Sequence, residues 1–119
     1  MSSSNLRKVQ LRWTGEGLVF RGGADGGPEV TVDSGAGEGA SPMELLLLSL
    51  AGCMGVDLVV ILQKSRVPLE ALDVEVIGER ADSEPREFVA IELVYRLKGP
   101  GAEDEPKLQR AIDLSRDKY

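Results

Sequence analysis

One cysteine, Cys53, and no histidine stand in this chain of 119 residues. Without an imidazole, Ser-His-Asp and Cys-His nucleophile pairs are impossible. Zinc sites built from Cys and His are excluded as well, because they need three or four such ligands. No intramolecular disulfide can form. A bound cation would fall to carboxylate and carbonyl oxygens, and the sequence implies neither a metal nor a cofactor. Redox or nucleophilic chemistry therefore rests with Cys53. Its reactive form is the thiolate, which a nearby cation stabilises. No basic residue lies within one helical turn of Cys53, so the charge would have to come from Arg12, Arg21 or a partner subunit. Asp57, four residues on, shares its helix face. An ionised carboxylate there disfavours the thiolate, so Asp57 reads as structural. Glu44 lies nine residues before Cys53, 2.5 turns away and on roughly the opposite face. It reads as a helix cap. From composition alone, a lone cysteine in an apolar helix is a small buried hydrophobe first and a reactive thiol second.

The helix that must position Cys53 is the most apolar part of the chain. Residues 45–62, LLLLSLAGCMGVDLVVIL, reach the lower length limit of a membrane span. Asp57 inside the run and Glu44 and Gln63-Lys64 around it argue for a protein core instead. A helix apolar all round needs cover on every side. A 12.8 kDa protomer has little depth for that, so burial between two copies of the chain is expected. Ser41-Pro42-Met43-Glu44 is its start: Ser41 as N-cap, Pro42 at N1, and Glu44 completing a capping box. It should run to about Lys64 and stop at Val67-Pro68. Gly52 and Gly55 flank Cys53, and each costs roughly 1 kcal/mol against alanine. The reading is that another backbone or a ligand approaches the helix beside the thiol.

Around this helix the pattern changes to period two. Val9, Leu11 and Trp13 alternate with Lys8, Gln10 and Arg12 as a half-buried strand. A turn at 14–17 leads to a strand at Leu18-Val19-Phe20. Residues 22–28 read as a breaker cluster, 29–33 as a third strand and 34–41 as a flexible loop. Nine of the 14 glycines fall between Gly15 and Gly39. They form no GxxxxGKS/T phosphate loop and read as turn chemistry. Residues 71–97 form a hairpin, with Val89, Ile91, Leu93, Tyr95 and Leu97 on one face of its second strand. A last helix starts near Glu103 and buries Leu108, Ala111, Ile112 and Ser115. The order is βββ-α-ββ-α, an α+β fold with antiparallel sheets around a long central helix. Residues 1–119 are taken as a single domain.

The chain carries 20 acidic against 14 basic residues, a net charge of −6. That opposes nucleic acid and an anionic membrane surface. MSSSNLRKVQ has no apolar h-region, so a cytoplasmic location is expected.

The stretch SPMELLLLSLAGCMGVDLVVILQKSR, residues 41–66, resembles the signature region of the OsmC/Ohr family, as does RAIDLSRDKY at 110–119. The likeness is to the OsmC-like branch carrying SPME…GC…DVV…IL. It implies an intertwined homodimer in which two central helices pack back to back. It also implies thiol-dependent reduction of organic or hydrogen peroxides. A helix thiolate attacks the peroxide, becomes a sulfenic acid, is resolved by a second cysteine near the C-terminus, and is restored by a dithiol reductant. A Glu–Arg pair orients thiolate and substrate. Cys53 falls on the peroxidatic position, and Glu44 and Arg21 are the candidates for the pair. This chain departs from the Ohr pattern in having Met43 directly after Pro42, no arginine in TGEG at 14–17, and no second cysteine. The resemblance would place that cysteine, and a terminal strand, beyond Tyr119. The departures keep a rival in play: a non-catalytic dimeric module of the same fold that binds a small apolar molecule.

Overall fold

Three short strands open the chain: β1 (Val9–Trp13), β2 (Val19–Ala24) and β3 (Val30–Asp33). They form an antiparallel meander, β1-β2-β3, in the computed structural model, which describes residues 5–35 and 37–118. The helix α1 (Pro42–Lys64) follows, then a hairpin of β4 (Ala71–Arg80) and β5 (Phe88–Lys98). A 3-10 turn at Ala102–Asp104 leads into α2 (Glu105–Lys118). The element order is the expected one, and both sheets are antiparallel. Two compact units result, Met1–Leu46 and Leu47–Tyr119.

In the first unit β2 runs longer than its sequence suggests. Gly22 and Gly23, read as chain breakers, are strand residues paired with Leu11 and Gln10 of β1. A Cβ on Gly22 would strike the Gln10 carbonyl, and one on Gly23 the Pro28 carbonyl. Close approach of neighbouring backbone, not a turn, calls for glycine there. The turn falls later, where the Gly27 amide donates to the Ala24 carbonyl at 2.9 Å. The loop after β3, read as flexible, is fastened by a buried carboxylate. Asp33 Oδ1 accepts from the Gly35 amide at 2.8 Å, and Oδ2 from the Glu38 amide at 3.0 Å. β1, expected to be half-buried, is exposed on both faces, with Val9, Leu11 and Trp13 uncovered. It is an edge strand of its sheet.

The start of α1 follows its sequence closely. The Ser41 amide donates to Glu44 Oε1 at 2.9 Å, and the Glu44 amide donates to Ser41 Oγ at 3.2 Å. Those bonds to Ser41, backbone first and side chain second, hold the Glu44 carboxyl below its ordinary value of 4.5. A carboxyl depressed in the folded state stabilises that state when ionised. Its contribution is complete above pH 4.5 and disappears as pH falls through the lower folded value. We therefore expect Glu44→Ala to lower the thermal midpoint at pH 7 and to change it much less at pH 3. Scanning calorimetry of both proteins at the two pH values checks this, and an equal loss at both would refute it.

The end of α1 is a Schellman turn. The Val67 amide donates to the Leu62 carbonyl at 2.9 Å and the Arg66 amide to the Gln63 carbonyl at 3.1 Å. Arg66 takes the left-handed position with φ 58°, where glycine is the usual residue and a side chain costs about 1–2 kcal/mol. Val67 and Leu62, the pair that such a turn brings together, are both buried. With Leu58 and Ala111 they form the core of the second unit. Tyr95 and Leu97 of β5, Leu72 of β4 and Leu108 and Ile112 of α2 pack on this cluster. The apolar side expected of α2 is the one it buries. Its Ser115 is fully buried and donates to the Met54 carbonyl at 3.5 Å. A helix apolar enough to cross a membrane by length and composition thus serves as the core helix of a folded unit.

Candidate functional site

Cys53 sits midway along α1 as a free, exposed thiol. The reading of it as a small buried hydrophobe does not hold in the protomer. The next residue, Met54, faces inward at 5% exposure. Tyr95 on β5 donates its hydroxyl to Met54 Sδ at 3.7 Å, and burial pushes the Tyr95 phenol above its usual range. One residue back along the helix is a 100° rotation, which turns Cys53 off this packed face. Five of the exposed positions of α1, Leu46, Ser49, Cys53, Val56 and Val60, recur at alternating steps of three and four, with Leu48 and Gly52 exposed outside that series. They form a single stripe of the kind that packs against another helix.

The glycines beside the thiol were expected to admit a close neighbour. Within the protomer they admit none. A Cβ on Gly52 would meet nothing within 4 Å, and one on Gly55 only Val74 Cγ2 at 3.7 Å. Asp57, expected to be structural, is half-buried, with its Oδ2 atom closed off from solvent.

The two other candidates are engaged elsewhere in local structure. Glu44 is exposed and forms the N-terminal cap of α1. Arg21 lies on β2, directly opposite Arg12 of β1. Both arginines reach Glu29, Arg21 Nε to Oε1 and Arg12 Nη1 to Oε2, each at 3.8 Å. They line a shallow cleft of about 380 Å³ together with Asp25 and Glu29. Two arginines face two carboxylates there, so the charges balance. Two like charges in directly opposed strand positions repel, and Glu29 offsets that repulsion. Among the described residues no three Cys, Asp or Glu side chains converge as a metal site would require.

Sequence reasoning missed one cluster. Lys64 at the end of α1 and Lys107 and Arg110 on α2 converge on a second cleft. The signal was present as a three-residue step between Lys107 and Arg110 and a lysine in the last turn of α1. Only the packing of α2 against α1 brings the three together.

Along the chain, a core helix carrying an outward thiol follows a strand meander and precedes a strand hairpin. The OsmC-like protein family matches residues 35–119, and the chain belongs to that family. Protein YhfA of Escherichia coli K12 is 36% identical over 113 residues, covering 94% of this chain and 83% of the relative. The crystal structure of a hypothetical protein from Aquifex aeolicus VF5 superimposes with a TM-score of 0.82 at 30% identity, over 97% of this chain and 82% of that one. An organic hydroperoxide resistance protein from Elizabethkingia anophelis shares the fold, with a TM-score of 0.68 at 16% identity, over all of this chain and 91% of that one.

Proposed function

We propose that this protein reduces organic or hydrogen peroxides with Cys53 as the nucleophile, and that it does so as a cytoplasmic homodimer. The observation that carries the reading is the free thiol at position 53, presented outward from the core helix of an OsmC-like domain. The Cys53 thiolate attacks one peroxide oxygen. The O–O bond breaks, and the departing alkoxide, or hydroxide when the substrate is hydrogen peroxide, takes a proton from solvent to leave as an alcohol or as water. Cys53 becomes a sulfenic acid, two electrons more oxidised. No second thiol exists within these 119 residues to capture it. A dithiol reductant supplies both sulfurs: its first thiolate displaces hydroxide from the sulfenic acid as a mixed disulfide, and its second releases Cys53 and leaves a cyclic disulfide.

The dimer reading rests on the uncovered apolar stripe of α1 and the uncovered face of β1. Two copies of α1 packed along the stripe would lie closest at Gly52, where the protomer leaves open space. In that arrangement residues 1–119 act as one OsmC-like domain. Glu44 and Arg21 are the candidates for the orienting Glu–Arg pair in this reading. The rival reading, a non-catalytic module, draws on the capping role of Glu44 and the local pairing of Arg21.

Anaerobic titration with one equivalent of cumene hydroperoxide, followed by mass spectrometry, tests the chemistry. The expected product carries one added oxygen on Cys53, formed far faster than on free cysteine. Oxidation no faster than free cysteine would end the peroxidase reading.

A further inference from the structure

The cleft at the C-terminal end of α1 is unlike the rest of the surface. It has a volume of about 360 Å³ and is lined by Ile61, Lys64, Ser65, Lys107, Arg110 and Leu114. Three of those six residues are cations and none is an acid, on a chain whose net charge is −6. Four other arginines find carboxylates: Arg12 and Arg21 on Glu29, Arg96 on Glu75, and Arg116 on Asp113 and Asp117. Among the described residues Lys64, Lys107 and Arg110 pair with no acid. Lys107 does donate to the Ser65 carbonyl at 3.2 Å, at the end of α1. A helix C-terminus carries about half a negative charge, which offsets only a small part of three full positive ones.

Helix spacing makes this a built arrangement. Lys107, Arg110 and Leu114 are three and four residues apart and share one face of α2. Ile61 and Lys64 share one face of α1 in the same way. The cations therefore ring a surface with apolar content: Ile61 packs partly against the core, and Leu114 is 47% exposed. An apolar wall with a few convergent charged groups is how small-molecule sites are made, and this volume falls at the small end of their range of roughly 300–1,000 Å³.

We infer that this cleft binds a small organic anion, with its carboxylate or phosphate head between Lys107, Arg110 and Lys64 and a short apolar body against Ile61 and Leu114. Arginine takes such a head through two parallel N–H donors, while lysine adds a point charge. The cleft is separate from the thiol: Lys64 lies 11 residues along α1 from Cys53, about 16 Å of helix rise, and one turn beyond Val60 at the end of the stripe. Its occupancy does not depend on thiol chemistry.

Octanoate is a suitable probe, with inorganic phosphate as the head alone and 1-octanol as the body alone. Titration of the full chain, followed by amide NMR shifts, should show saturable octanoate binding at residues 61–65 and 107–114. Neither control should match its affinity. The double variant Lys107→Gln/Arg110→Gln should weaken octanoate by about tenfold or more, as expected for lost charge-assisted bonds. Its circular dichroism and its Cys53 oxidation should be unchanged, since both residues are on the surface. Raising the salt concentration should weaken binding to the parent protein. Equal affinity for octanol, unchanged affinity in the double variant, or octanoate shifts confined to the Cys53 stripe would each overturn the assignment.

Discussion

Cys53→Ser is expected to abolish peroxide turnover while leaving the fold and the oligomeric state unchanged. Position 53 is exposed in the protomer, so the protomer's packing loses nothing there, and serine is nearly isosteric with cysteine, so a seam along the stripe of α1 keeps its shape. The chemistry loses everything: a hydroxyl is far less nucleophilic at neutral pH than a thiolate, and it forms no sulfenic acid. Consumption of cumene hydroperoxide with dihydrolipoamide as reductant should fall by at least about a thousandfold, the scale of losing a nucleophile that acts with its activators as a unit. Mass spectrometry should find no oxygen added at position 53. Retained turnover in the serine variant would remove Cys53 from the reaction. Absent turnover in the parent, with Cys53 inert to peroxide, would favour the binding module.

Which face of α1 carries the thiol outward could not be read from the chain, and the reason is physical. A helix announces its inner side through asymmetry, and α1 is apolar on every side. Leu58 and Leu62 are fully buried while Val56 and Val60 are uncovered, yet leucine and valine look alike as core residues. The start of α1 was legible because Ser41, Pro42 and Glu44 are each specific to one capping position. Its end was less so, because Arg66 occupies a position where glycine would have signalled the stop. Gly22 and Gly23 misled in the opposite direction. Adjacent glycines ordinarily mark a turn, but here they relieve backbone contacts inside a strand. The period-two residues of β4 and β5 were the easiest to place, since Leu72, Val74 and Val76 alternate with acids and all turn inward. The basic cleft depends on which turn of α2 meets α1. That register is set by Ala111 and Ser115 against the core, and nothing local to Lys107 or Arg110 encodes it.

Val56→Glu should convert the protein from dimer to monomer. Val56 is 63% exposed in the protomer, so a carboxylate there stays in water and the core of Leu58, Leu62, Val67 and Ala111 is untouched. In a dimer packed along the stripe of α1, the same carboxylate would be buried against its own copy. Two like charges would then face each other in an apolar seam. Leaving a buried charge uncompensated costs about 3–5 kcal/mol, and each 1.4 kcal/mol is about tenfold in affinity. The dimer dissociation constant should therefore rise by roughly a hundredfold or more. Light scattering across low micromolar concentrations should give twice the chain mass for the parent and a single chain mass for the variant. Circular dichroism should stay close to the parent, which separates lost pairing from lost folding. If the variant still scatters as a dimer, the stripe is not the interface. If the parent is itself a folded monomer, the dimer reading fails altogether. The two replacements also test each other. Loss of turnover in Val56→Glu, with Cys53 intact, is the result expected if the partner subunit completes the site around each thiol.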